Sequence, residues 1–128
     1  MINFLDFISR IFISGVFLFS GVNKIFNYEG AISWMEGYGI TGLLLTPVII
    51  LEIVFPILII IGYKTKIAAF ILALFSIATA FIFHADFSNQ MQLVAFLKNI
   101  SLAGGLIFLT INGAKDWSLE KKKKYVRL

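Results

Sequence analysis

Residues 43–61 read LLLTPVIILEIVFPILIII and carry a single ionisable group, Glu52, at their middle. An apolar run of about 20 residues is long enough to cross a bilayer. A lone carboxylate at mid-membrane costs roughly 2.5–3.5 kcal/mol on insertion scales, so it must find a partner on another segment. The bases that lie inside other apolar stretches are Arg10 and Lys98.

Composition supports a lipid solvent. The chain is 59% apolar and 14% charged, against about 25% charged in soluble domains. Fourteen Phe accompany many Ile and Leu, more apolar side chain than a soluble domain of this length can enclose. The net charge of +4 lies mostly in the C-terminal tail, a pattern of membrane-surface contact or topology rather than of nucleic-acid binding. No basic face interleaved with exposed aromatics appears outside the apolar runs, so nucleic acid is excluded as a partner. Without Cys there is no disulfide, thiolate metal site or thiol redox chemistry. The first apolar segment lacks a basic leader and a small-residue cleavage site, so no signal peptide is expected.

The expected fold is an all-α, single-domain membrane bundle of four transmembrane helices, over residues 4–22, 43–61, 67–84 and 93–111, with a polar tail over 113–128. In the first span Asn3, Asp6, Arg10, Ser14, Gly21 and Lys24 share a stripe less than about 90° wide. Residues 23–42 hold Trp34, Tyr28, Tyr38, Glu29 and Glu36, which predicts a short interfacial helix between the first two spans, about 29–36, broken by Gly37 and Gly39. Pro56 interrupts the second span one turn past Glu52. In the third, Ala69, Ala73, Ser76 and Ala80 give the small-residue spacing that lets helices approach closely in lipid. The fourth carries Lys98, Asn99, Ser101, Gly104 and Gly105 and ends at Asn112-Gly113.

Lys64 and Lys66 follow the second span, and Lys115, Lys121, Lys122, Lys123, Lys124 and Arg127 follow the fourth. The opposite side carries Glu29, Glu36 and Asp86, with Lys24 as its one loop base. The positive-inside rule then puts both termini in the cytoplasm. Lys121 to Lys124 act as a topology determinant that also touches anionic headgroups.

Arg10 and Glu52 are the expected ion pair, because a guanidinium fork suits a carboxylate and the side chain can climb about one turn. Asp6, four residues before Arg10, offers an intrahelical alternative, and Arg10 can also snorkel to the surface. Lys98 either snorkels or joins Glu52, Asn99 and Ser101 in a polar pocket. His84 stands at the outer mouth. As the single His it excludes bis-histidine haem within one chain, and a metal would need Asp86 or Glu36 beside it, so no metal is assigned. Arg10, Glu52, Lys98, Asn99, His84 and Lys24 form the candidate ligand or proton site.

The arrangement resembles the DoxX family of small four-helix membrane proteins over nearly the whole chain. Arg10 and then Ser20-Gly21-Val22-Asn23-Lys24-Ile25-Phe26 resemble the family's Arg and Gly-x-x-Lys near the first helix end. Glu52 followed by Gly62-Tyr63-Lys64-Thr65-Lys66-Ile67-Ala68-Ala69 resembles its Glu and Gly-x-x-Thr-Arg-x-Ala-Ala turn, with Lys66 where Arg is common. His84, Phe96-Leu97-Lys98-Asn99-Ile100, Gly104-Gly105 and Trp117-Ser118-Leu119-Glu120 also fit, the last replacing Ser-x-Asp. Gly37-Tyr38-Gly39-Ile40 departs from a common Gly-x-Pro.

The resemblance implies a multi-pass protein of a bacterial-type inner membrane. More loosely it implies an accessory subunit of a membrane redox system, with a quinone as ligand and a redox partner subunit; self-association is a separate expectation. No intrinsic redox centre is visible, so catalysis is left open. Two other readings stand beside it. A single membrane acid suits a small proton-coupled transporter, and a structural or assembly protein would need no ligand.

Overall fold

The computed structural model describes residues 1–119. The lysines at Lys121, Lys122, Lys123 and Lys124, expected to touch headgroups, lie outside the described residues. Every regular element among those described is helical: α1 (Ile2–Phe26), α2 (Tyr28–Gly37), a 3-10 turn (Gly42–Leu44), α3 (Leu45–Ile61), α4 (Thr65–Phe83) and α5 (Gln90–Asn112). Four of them are long and apolar enough to span a membrane, at Ile2–Phe26, Gly42–Ile61, Thr65–Phe83 and Gln90–Asn112. The first runs past the expected end at residue 22, so Lys24 lies in α1 and not in a loop.

Chain turns are set by local chemistry. Gly62 (φ +74) closes α3 with its N–H bonded to the Leu58 and Ile59 carbonyls, the left-handed cap that glycine adopts without a Cβ penalty. Asn89 caps α5 by accepting from the N–H groups of Met91 and Gln92. The helix α2 forms where the aromatic and acidic residues predict it, and Gly39 (φ +81) ends its connection.

The helices pack in the order α1, α3, α4, α5, with the most extensive contacts between α4 and α5 and between α1 and α3. The buried stripe of α1 is Arg10, Ser14, Phe17 and Gly21, and that of α4 is Thr65, Ala68, Ala69, Leu72, Ala73, Ser76 and Ala80. In lipid such small faces substitute close van der Waals contact for hydrophobic drive. Large side chains such as Phe12, Phe19, Phe70, Phe81 and Phe108 point outward. Phe17, Ile59, Ala68, Ala69, Leu72, Ala73 and Leu106 form the compact core. That core occupies the half of the bundle near the α3–α4 turn. Toward α2 the helices enclose a void instead.

Two interlocks hold the ends. Trp34 and Tyr38 stack on Phe83, with ring centroids 6.3 and 5.0 Å away, and tie the α2 cap to the end of α4. At the opposite end the segment after α5 lies against α1 and α3. Trp117 meets Phe4 and Phe7 edge-on at 6.3 and 6.0 Å, and the Leu119 N–H donates to the Ile61 carbonyl at 3.0 Å.

Candidate functional site

Glu52 is 3% exposed, on the face of α3 that meets α1. The register there is set by Gly21. A Cβ at that position would come within 2.8 Å of Ile53 Cδ1 and 3.2 Å of Glu52 Cβ, so a larger residue would have to push the Ile53 and Glu52 side chains aside. Lys24, one turn further along the same stripe, then brings its Nζ to 2.8 Å from Glu52 Oε1. The same ammonium donates to Ser20 Oγ at 2.6 Å. Glu52 Oε1 accepts no hydrogen bond, so its contact with Lys24 is one of charge rather than of directed donation. Pro56 has no N–H to offer the Glu52 carbonyl in the helical ladder.

The expected Arg10–Glu52 pair does not form. Arg10 precedes Gly21 by three turns, roughly 16 Å along the axis at 1.5 Å per residue, beyond side-chain reach of Glu52. Its partners lie at the other end of the bundle. Nε donates to Asp6 Oδ2 at 2.9 Å, the intrahelical pairing that their spacing also allowed. Nη1 donates to the carbonyls of Ile59 at 3.0 Å and Ile60 at 2.5 Å, and Nη2 donates to that of Trp117. Carbonyls of a helix's last turn lack intrahelical donors and carry the negative end of the dipole, which a cation complements. Asp6 Oδ2 also accepts from the Lys115 N–H at 3.1 Å. Arg10, 1% exposed, is therefore a clamp joining α1, α3 and the C-terminal segment.

The other five candidates come together. Lys24, Glu52, His84, Lys98 and Asn99 all line one cavity of about 540 Å³ beneath α2. Trp34 and Met35 roof it, while Phe17, Phe75 and Leu102 supply apolar wall. Asn99 Nδ2 donates to Thr79 Oγ1 at 3.1 Å, and His84 Nδ1 lies 3.2 Å from Gln92 Oε1. Those bonds fasten α4 to α5 at the cavity wall. Lys98 has no hydrogen bond or ion pair to any described residue.

Ser20, Ser76, Thr79 and Gln92 were not among the expected site residues. Ser76 falls on the small-residue stripe of the third span, and nothing in its spacing separates a cavity hydroxyl from a packing one. Ser20 was legible in principle, because it stands four residues before Lys24 on one helix face. Among the described residues no group of three His, Asp or Glu side chains could hold a metal ion.

Four helices long and apolar enough to span a membrane, packed around a cavity that carries charged side chains, define an integral membrane protein. The chain belongs to the DoxX family, whose model matches residues 5–85. It is similar to the inner membrane protein YqjF of Escherichia coli, with 33% identity over 114 residues, 89% of this chain and 88% of that one. It is also similar to the inner membrane protein YphA of the same organism, 28% identical over 90% of this chain and 87% of that one. The ER-derived vesicles protein ERV29 of Saccharomyces cerevisiae matches 59% of the chain at 33% identity, though only 26% of its own length. No solved structure matches.

Proposed function

We propose that this protein is a multi-pass inner-membrane protein, both termini cytoplasmic, that holds a small lipid-soluble ligand of quinone type as an accessory subunit of a redox system. The observation that carries the reading is the cavity of about 540 Å³. Its volume falls within the range of small-molecule sites, and its wall is largely apolar with a few convergent polar groups. Lys98, Asn99 and His84 supply donors for a ring carbonyl, and the Lys24–Glu52 pair supplies a proton-holding group beside it. The location draws on the names of the bacterial relatives. With no Cys and one His in the sequence, electrons would come from a partner subunit.

Proton-coupled transport is the weaker reading. Its membrane acid has to be open to exchange, whereas Glu52 is 3% exposed with the Lys24 ammonium already 2.8 Å from it.

Trp34 lies on the cavity wall, so it reports occupancy. In a Trp117→Phe background, a decyl-chain benzoquinone should quench Trp34 fluorescence saturably and raise the melting temperature, and lipid extracts of the purified protein should contain quinone. Extracts free of quinone, together with no quinone-dependent thermal shift, would sink the proposal. Proton-driven flux in vesicles that vanishes in Glu52→Gln would favour transport instead.

A further inference from the structure

The cavity wall carries two ammonium groups, Lys24 and Lys98, but one carboxylate, Glu52, with His84 as the remaining titratable group among the described residues. Lys24 is committed to Glu52 at 2.8 Å and to Ser20 at 2.6 Å. Lys98 has no such partner. Two lysines against one carboxylate leave the wall with one uncompensated positive charge. A second group is also unspent. Ser76, a residue 2% exposed, belongs to the same cavity wall, and its buried Oγ has no hydrogen-bond partner. A hydroxyl left so in an apolar interior is unfavourable, and Lys98, although exposed in the bundle, has no described anion beside it.

We propose that the cavity selects a monoanionic amphiphile, with its ionised oxygen held by Lys98 and Ser76 and its apolar body laid against Phe75, Leu102 and Trp34. The inference rests on the ligand-holding reading above and sharpens it from quinone-like to anionic. One anion brings the charge of the site to zero and gives Ser76 an acceptor. A neutral ligand of the same shape can accept hydrogen bonds there but leaves the positive charge uncompensated. Two kinds of molecule carry this chemistry, a fatty-acid carboxylate and a ring-hydroxylated quinone ionised at neutral pH.

The test uses the full chain, with Trp117→Phe, in nanodiscs of phosphatidylcholine, and reads Trp34 quenching and thermal shift against empty discs. Two matched pairs are compared: dodecanoate with dodecanol, and an alkylated 2-hydroxy-1,4-naphthoquinone with its methyl ether. We expect the anion to bind about tenfold more tightly in at least one pair, the fold-change of one charge-assisted hydrogen bond. The pair that shows it identifies the source of the ligand. Lys98→Met should erase the preference by weakening the anion more than the neutral member, Lys98→Arg should keep it, and Ser76→Ala should weaken the anion a few-fold. Equal binding within both pairs, or a preference that survives in a folded Lys98→Met protein, would overturn the inference. The second result would mean that Lys98 snorkels to the headgroups. Neutral quinone binding without any preference would leave the ligand-holding reading standing. Absence of binding by all four probes would remove both.

Discussion

Lys24 Nζ sits 2.8 Å from Glu52 Oε1, one helical turn above the point where Gly21 brings α1 and α3 together. The mid-membrane acid is thus neutralised by a base from the same end of the bundle as the cavity, and the pair becomes part of the cavity wall. Had the base been Arg10, the carboxylate would have been drawn toward the compact half of the bundle.

This pairing predicts strong thermodynamic coupling. Lys24→Met and Glu52→Gln should each lower the melting temperature of the detergent-solubilised protein. The double variant should be less destabilised than the sum of the two, with a coupling of about 1–3 kcal/mol. The pair Arg10→Gln and Glu52→Gln should be additive within about 0.5 kcal/mol. Unfolding titrations of the four variants and the parent decide it, and coupling in the Arg10 cycle instead would contradict the geometry.

The close approach at Gly21 predicts a difference between two glycines of α1. Gly21→Val would meet Ile53 and Glu52, whereas a Cβ at Gly15 meets nothing within 4 Å. Gly21→Val should therefore separate α1 from α3 and cost about 1–3 kcal/mol, the usual range for overpacking. Gly15→Ala should be neutral or gain up to about 1 kcal/mol through helix propensity. Equal losses at the two sites in thermal melts would refute the claimed register.

Arg10 predicts a defect at the opposite end. Arg10→Met removes donors to Ile59, Ile60 and Trp117 and leaves Asp6 without its cation. Hydrogen bonds to charged groups are worth about 1.5–3 kcal/mol each, so a loss of at least about 2 kcal/mol is expected. The segment around Trp117 should become cleavable by added protease. Arg10→Lys should rescue only in part, because a single ammonium cannot span the fork of acceptors. An unaltered protease pattern in Arg10→Met would show that the segment is held by its aromatic contacts alone.

The absence of Cys makes topology directly measurable. Lys66→Cys and Leu119→Cys should be shielded from an impermeant maleimide in intact cells, and Phe87→Cys should react. The inverse labelling would place the termini, and with them the Arg10 clamp, on the outer side.

Much of the architecture was legible in the residues. The four apolar runs, the interfacial helix and the polar stripe of α1 follow from hydropathy and a 3.6-residue period, because lipid forces every spanning backbone to satisfy itself as helix. Which residues share the cavity was partly legible: Lys98, Asn99 and His84 stand on its side of the bundle, as charge and order indicated. The partner of Glu52 was not. Arg10 looked the better base by chemistry, but partner choice depends on axial register between α1 and α3, and a glycine contact sets that register. The role of Arg10 was hidden for a related reason. Its acceptors are backbone carbonyls of Ile59, Ile60 and Trp117, and every residue type offers a carbonyl.

What the sequence determined by itself is a lipid-embedded four-helix chain with charges placed on inward stripes, since hydropathy and periodicity are local properties that each segment carries alone. What only the tertiary structure decided is how those charges divide: Lys24 with Glu52 at the cavity, Arg10 with helix-end carbonyls at the clamp, and Lys98 left over. Ion pairing is a matter of a few ångströms between separate helices, and that distance exists only once the backbones have packed.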